Sequence, residues 1–523
     1  MKFIQGINRH QILLFPESLD SAIDQDNEVR LIDIFVDSLE LDKFGFKVNF
    51  KEEGRPAYHP SDLLKLFIYG YLNKIRSSRD LEKECKRNIE VFWLLKSLQP
   101  DHNTISNFRR DNPKAIKKVF RATVQIAKHF DLIGGTLIAG DSTKFRAQNS
   151  KKNNFNQAKI DRHLEYIDNK LNDYYSSLDS ADDDNKSIIQ NEINTQLLRK
   201  QNYLDIQDQL LASGQPQIST SDPDSRQMII RNNITETAYN VQTSNDAKHN
   251  LIFDFKVTNQ NDSKAMGNMA RRAKSILRSN NFTALYDKGY HTGSELKIAQ
   301  DLGIQTIVAI PDIPSSSFAP DPAYNVSEFS YDSTSDSYTC PMGNTLSSNG
   351  NWYAKSQRNN IINVKHYKTS KCKSCPVLNS CTKNTRNRGR VVERSEFADY
   401  YEKNKFNVLT RQYLYKRRQT IVEHPYGTIK RQWGYSYILT KKGMDRASAD
   451  VGLMFIAYNL RRLISILGQE VLKKYFNFLI FYFFAISLSI KRFIKNSCLS
   501  FSLKFLLPKI HLYHHYYVFL IKN

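Results

Sequence analysis

Residues 136–147 read TLIAGDSTKFRA and residues 282–293 read FTALYDKGYHTG. Each is a short apolar run that ends in an aspartate, Asp141 or Asp287, and opens into a loop carrying a lysine. Branched and aromatic residues in runs this short favour strands. In an open α/β sheet, active sites gather at the carboxyl ends of the strands. An aspartate alone is more often a cap or a surface charge. Two in the same context point to one site built on one sheet.

Outward from these runs, strand patterns appear at 239–242 and 251–257, and helical ones at 263–279 and 293–302. A further strand pattern lies at 306–310. Strands alternating with helices imply an α/β sheet layer. Residues 157–211 are charged, Asn- and Gln-rich and helical in period, with a break near 180–185, so they read as a helical hairpin inserted into this domain. Its acidic loop, DSADDDN, reads as a solvated tip rather than a metal site. Residues 315–395 hold short β-like pieces, turn residues and a cysteine cluster. Helix returns over 396–433 and 446–467.

Upstream, residues 58–130 are helical, with starts predicted at His59-Pro60-Ser61-Asp62, at Ser77-Ser78-Arg79-Asp80 (running to Leu95) and at Asp101-His102-Asn103-Thr104. Short helices with Lys and Arg on exposed faces make a helix-turn-helix-like DNA binder, although a generic helical bundle reads the same way. The expected domains are an all-α amino-terminal domain over 1–130 and an α/β domain over 131–467. The latter carries the hairpin (157–211) and a small β-rich cysteine-containing insert (315–395).

Lys and Arg number 75 against 53 Asp and Glu, a net charge of +22. A surplus of that size points to a polyanion, most commonly nucleic acid. Residues 471–523 hold seven Lys, one Arg and no acid, and removing those eight cations from +22 leaves +14, so the body is basic in its own right. The first twenty residues lack an apolar signal-peptide core, so export is not expected and a cytoplasmic, nucleoid-associated protein is. Of six cysteines, Cys340, Cys372, Cys375 and Cys381 cluster, with Cys372 and Cys375 in a CxxC pair. That spacing suits a structural Zn²⁺ better than disulfides.

A third carboxylate, Glu423, stands in RRQTIVEHPYGTIKRQWG (417–434), with Lys430 seven residues on and hence on the same face of a continuous helix. Pro425 either starts a new helix or kinks the old one. Phosphodiester cleavage explains why three carboxylates would be gathered. Mg²⁺ takes hard oxygen ligands and keeps several waters. Two such ions roughly 4 Å apart stabilise the attacking and leaving oxygens of an in-line displacement.

The segments DSTKFRAQNS, YNVQTSNDAKHNLI, ALYDKGYHTGSEL and VEHPYGTIKRQWGY resemble the insertion-sequence transposases whose acidic triad is called DDE. SSRDLEKECKRN and PDHNTISNFRR resemble the amino-terminal domain of one branch of them, and SADVGLMFIAYNLRRL their closing helix. Together these cover most of residues 40–467. The resemblance implies a ribonuclease-H-like mixed sheet flanked by helices, Mg²⁺ or Mn²⁺, and cleavage and strand transfer of DNA at the ends of a mobile element. Matched by position, Asp141, Asp287 and Glu423 are the triad and metal ligands, and Lys430 contacts a phosphate near the cut. Tyr415 and Arg418 are the nearest matches to the signature's Tyr and Arg, with the gap from Arg to Glu one residue longer than usual. Lys144, Arg109 and Arg110 join them as expected DNA contacts. The expected partners are terminal inverted repeats, target DNA and a second copy on the DNA, with no membrane. Asp450 stands in the closing helix where relatives often carry Glu, and reads as structural.

A different class of function, a catalytically silent repressor derived from a transposase, would keep DNA binding and lose cleavage. The resemblance stops near Gly468. Residues 471–523 lack Asp, Glu, Gly and Thr and read as an apolar, basic extension outside the working enzyme. The apolar part, 476–490, falls short of the about 20 residues that span a bilayer.

Overall fold

The computed structural model describes residues 18–49, 56–179, 182–231, 234–312, 317–357, 360–384, 389–440 and 442–496. The first 17 residues, two in the acidic loop and the tail beyond Asn496 lie outside the described residues. The architecture is mixed α/β, with a six-stranded mixed sheet and many helices. Two compact units divide the chain: a larger one of 1–134, 142–260 and 423–523, and a smaller one of 135–141 and 261–422. Strand Leu137–Arg146 contributes its first half to the smaller unit and its second half to the larger.

In the smaller unit this strand pairs in parallel with Thr283–Tyr286, Leu137 opposite Thr283 and Ala139 opposite Leu285. Thr283–Tyr286 pairs in parallel with Gln305–Val308. Parallel neighbours need a crossover, which helix Gly293–Asp301 supplies. Gly140 is required by this pairing: a Cβ there would stand 2.0 Å from the ring of Tyr286. The two residues that precede the paired aspartates therefore pack on each other. Strand Gln305–Val308 ends the sheet, and side chains of helix Ala398–Thr410 complete its backbone pairing. Asn404 accepts from Val308 N (2.9 Å) and donates to its carbonyl (2.8 Å), while Asn407 donates to the Thr306 carbonyl (3.2 Å). Such cover protects an edge from pairing with other chains. Residues 330–395 form two three-stranded antiparallel sheets around Phe329, Tyr338, Leu346, Tyr367 and Val392.

In the larger unit Arg226–Arg231, Ile234–Asp246 and Ile252–Thr258 pair antiparallel. The first of these escaped the sequence reading, because it has arginines at both ends and leaves Ile229 exposed. Helices Gln157–Asp179 and Asp183–Ser213 form a hairpin with Ile160 against Leu210 and Ile167 and Leu171 against Ile193. Among the amino-terminal helices, His59 accepts from Ser61 N at the start of Pro60–Leu72, and Asp101 accepts from Asn103 and Thr104 N at the start of His102–Asp111. The run expected to continue to Leu95 is two helices, Ser78–Arg87 and Ile89–Leu94, because Asn88 turns extended and its side chain caps Glu90 N. The helix after Asp101 also stops, at Asn112, since the residue before Pro113 is pushed out of helical geometry.

Helix Met444–Leu467 runs through the core of this unit, against Pro60–Leu72, Pro113–His129 and strand Ile252–Thr258. Asn459 is buried in it and satisfied, bonding Thr123 Oγ1 (3.1 Å) and both polar groups of Ile252. Asp450, fully buried, accepts from Arg76 (2.7 Å), Leu439 N (2.9 Å) and the Tyr71 hydroxyl, with Arg109 at 3.5 Å. Burial opposes its charge, but the guanidinium of Arg76 and then that of Arg109 outweigh this and hold its carboxyl below the usual range.

Packing does not stop at Gly468, where the sequence reading placed the boundary. Helix Gln469–Asn496 buries Leu472 and Phe476 completely, with Phe476 against Phe35 (5.4 Å) and Tyr475 against His129 (4.5 Å). Its basic, acid-poor composition concealed an apolar face. No single helix among the described residues is long and apolar enough to cross a membrane; the helices flanking Gly468 reach that hydropathy only together, across a 112° bend.

Two stability measurements follow. Asp450→Asn leaves Arg76 and Arg109 without their counter-charge in the core, and is expected to lower unfolding free energy by about 3–5 kcal/mol in denaturant melts. Because the folded carboxyl titrates low, this stability is fully present above about pH 4 and is lost as pH falls further. The variant should lack that acid-dependent component. Gly140→Ala is expected to cost about 1–3 kcal/mol by overpacking on Tyr286; a melting curve unchanged from the wild type would refute the close approach.

Candidate active site

Asp141 does not end its strand, contrary to the sequence reading; the strand continues to Arg146. What ends nearby is the pairing with Thr283–Tyr286, whose last register partner on this strand is Ala139. Asp287 follows the neighbouring strand and caps the turn Lys288–Tyr290, its Oδ1 accepting from Gly289 N at 2.9 Å. Its other oxygen faces Arg418. One nitrogen, Arg418 Nη2, stands 3.0 Å from Asp141 Oδ2 and 3.8 Å from Asp287 Oδ2. The two carboxylates thus share a single positive group. Arg418 is 14% exposed, and its Nε is buried without a hydrogen-bond partner.

Helix Gln412–Tyr426 carries Arg418, with Tyr415 one turn earlier. Burial raises the Tyr415 hydroxyl above its ordinary range, with Arg418 opposing and the charges of Asp287 and Asp141 adding to the rise. Glu423 lies farther along the helix, exposed, at the start of the larger unit's last segment. Among the described residues no three of His, Cys, Asp or Glu are set to hold one ion. Within the smaller unit the structure therefore brings Asp141 and Asp287 to one cation.

Pro425 stays within the helix, and the next residues, Gly427–Gln432, wind as a π-helix. A proline removes one backbone donor and disturbs regular helical geometry, and π-helical turns, rare elsewhere, are frequent at functional sites. Lys430 sits on this stretch, donating to Thr143 Oγ1 (2.9 Å) and to the Lys144 carbonyl (2.8 Å), over the Phe145 ring. Burial, and secondarily the charge of Lys144, pulls its ammonium down to about 8. Thr143, which orients it, was not singled out from the sequence.

The expected contacts in the amino-terminal helices divide. Arg109 is a correction: it is buried, bonding the Tyr71 hydroxyl (3.0 Å) and the Arg76 carbonyl (3.2 Å), and has no surface to offer a phosphate. The face of His102–Asp111 that carries Ile105 and Phe108 also carries Arg109 inward. Arg110 is at the surface, paired with Asp111 at 2.6 Å. His291, which sequence reasoning passed over although it lies in the quoted DKGYHTG run, has a buried Nε2 with no hydrogen-bond partner and rests against Tyr401 (4.9 Å). Burial lowers its imidazole, keeping it neutral.

Cys340, Cys372, Cys375 and Cys381 line one cavity of about 20 Å³, with Tyr324 and Arg390. That is room for a single water or ion. Burial raises the Cys381 thiol; the charge of Arg390 opposes this and the other three cysteines add to it. Gly389, with φ +77°, lies so close to Cys372 that a Cβ would stand 2.6 Å from it.

Two stretches of the chain match known families. Residues 17–111 match the family described as Transposase domain (DUF772), and residues 339–464 the one described as Transposase DDE domain. The second match takes in Glu423, Lys430, Asp450 and the four clustered cysteines; neither reaches Asp141 or Asp287. A piggyBac transposase synaptic complex with hairpin DNA, solved by cryo-EM, is similar at 9% identity over 95% of this chain and 86% of that one, with a TM-score of 0.27, too low to inform fold or function. No curated protein matches. Transposase families thus match the chain in two separate stretches, one near its amino terminus and one over its last third, and these matches point to a DDE-type transposase.

Proposed function

We propose that the chain cleaves DNA at the ends of a mobile insertion sequence and joins it to target DNA, using a ribonuclease-H-like site of Asp141, Asp287 and Glu423. The observation that carries this reading is the pair of carboxylates, one within a strand and one just past the end of its neighbour, converging on one guanidinium. Two hard oxygen donors already sharing a positive charge suit Mg²⁺ or Mn²⁺. When bound, a pair of such ions stabilises the attacking and leaving oxygens of an in-line displacement.

The chain's own residues position the substrate. Lys430 is a cation fixed in direction by Thr143 and by the Lys144 carbonyl, suited to one phosphate oxygen beside the cut. An arriving phosphate favours its charged form and reverses the effect of burial. Tyr415 and Lys144 add a hydroxyl and a second cation for the backbone, and Arg110 belongs to an amino-terminal region proposed to grip the terminal repeats. The net charge of +22 suits long contact with DNA and with a second copy's DNA end.

A strand-cleavage assay on DNA carrying the element's terminal repeats, with Mg²⁺, tests this. Asp141→Asn, Asp287→Asn and Glu423→Gln should each lower cleavage at least about 1000-fold, or about 4 kcal/mol of barrier, while leaving DNA binding nearly intact. Tight binding with no cleavage by the wild type would favour the repressor instead. For the insert, we infer that the four cysteines hold a structural Zn²⁺: they line one cavity, although they do not already stand as a ligand set, and the surrounding core is small. Metal analysis of reduced protein should find stoichiometric zinc, lost in Cys372→Ser; zinc-free, fully folded wild type would end that reading.

A further inference from the structure

We propose that Arg418 is the resident counter-ion of the aspartate pair: it holds the place between Asp141 and Asp287 while no divalent cation is bound, and it must leave for one to enter. This rests on the reading of Asp141 and Asp287 as metal ligands. Two carboxylates brought close together repel each other unless a positive charge lies between them. In this structure Arg418 Nη2 is that charge, at 3.0 and 3.8 Å. The seat is makeshift. A strong arginine–carboxylate pair is a fork with two parallel bonds. Here one nitrogen serves both acids, one contact is beyond hydrogen-bond length, and Nε is buried with no partner. A divalent cation brings twice the charge to the same oxygens and leaves no orphaned donor. Once displaced, the guanidinium regains its full set of donors for another anion, and a phosphate of the DNA is the matching fork acceptor. Metal entry and arginine release are then one event, and cation binding to the free protein carries the cost of the exchange.

The test is Mn²⁺ binding to the full chain without DNA, by calorimetry, together with thermal melts. If the arginine occupies the site in most molecules, the apparent affinity is reduced by the fraction that is open, so Arg418→Gln should bind about tenfold more tightly than wild type. Arg418→Lys keeps the charge but not the planar reach, and should also bind more tightly than wild type. Arg417→Gln, at the exposed neighbouring position, should bind as wild type does. Without metal Arg418→Gln should melt lower than wild type, and saturating Mn²⁺ should close the gap. Equal or weaker binding by Arg418→Gln, or an equal gain in Arg417→Gln, overturns the proposal, the latter by reducing it to a general charge effect. If wild type binds Mn²⁺, Asp141→Asn abolishes it and Arg418→Gln changes nothing, the inference falls and the catalytic reading stands. If neither wild type nor Arg418→Gln binds Mn²⁺, the catalytic reading falls first and takes the inference with it.

Discussion

A carboxylate sealed in a protein core must be paired, and Asp450 shows how far that requirement reaches. Its partners come from Tyr71 at the end of one helix, Arg76 in the following turn, Arg109 on another helix and the backbone of Leu439. Arg76 also donates to the Tyr437 carbonyl at 2.7 Å, and the Tyr435 hydroxyl to the Tyr71 carbonyl at 2.7 Å. Segments hundreds of residues apart in the chain are thereby fixed to one buried charge. A hydrophobic contact tolerates small slippage, whereas a buried ion pair with several bonds does not, because removing one partner exposes the other's full desolvation cost. The segment 434–439 that follows Lys430 is held at this centre, which gives the π-helical stretch a firm end.

The candidate site depends on a second constraint of the same severity. Gly140 and Tyr286 lie side by side, and the aspartates that follow them inherit that spacing. Neither carboxylate is positioned by a flexible loop alone: Asp141 is inside a strand, and Asp287 is tied to Gly289 N. Sites on strands and their immediate ends hold geometry better than sites on long loops.

How much of this could be read in advance follows from which signals are local. Strand runs before Asp141 and Asp287, the helix starts at His59 and Asp101 and the structural role of Asp450 all rest on neighbours within a few residues or on the family pattern. The continuation of Leu137–Arg146 past Asp141 does not, because DSTKFR has no apolar alternation and is strand only through partners elsewhere in the sequence. Arg109 looked like a surface cation because arginines are rarely buried; what buries it is Asp450, 341 positions away in sequence. Leu472 and Phe476 were hidden in the same way, since an unusual composition drew attention away from the spacing of two apolar residues one turn apart. The family pattern singles out Arg418 as a DNA contact, and its pairing with both aspartates, which lie 277 and 131 positions away, leaves no local trace in the sequence.

The placement of cations carries a final point. A net charge of +22 suggests a uniformly basic surface, yet many of the cations are spent locally: Lys86 on Glu82, Arg87 on Glu84, Arg110 on Asp111, and Arg76 and Arg109 on Asp450. Lys430 is different. It is largely buried, its described bonds are to a hydroxyl and a carbonyl rather than a carboxylate, and its ammonium is pulled down to about 8. Holding a charge there is costly, so whatever anion approaches it gains more than it would at an exposed lysine in water. Under the proposed reading, that gain grows with the negative charge that gathers on the phosphate as the bond breaks, and an interaction stronger in the transition state than in the ground state is the kind that accelerates a reaction. Surface lysines can raise affinity for DNA of any sequence; a desolvated one, aimed by Thr143, can discriminate between a resting phosphodiester and a reacting one.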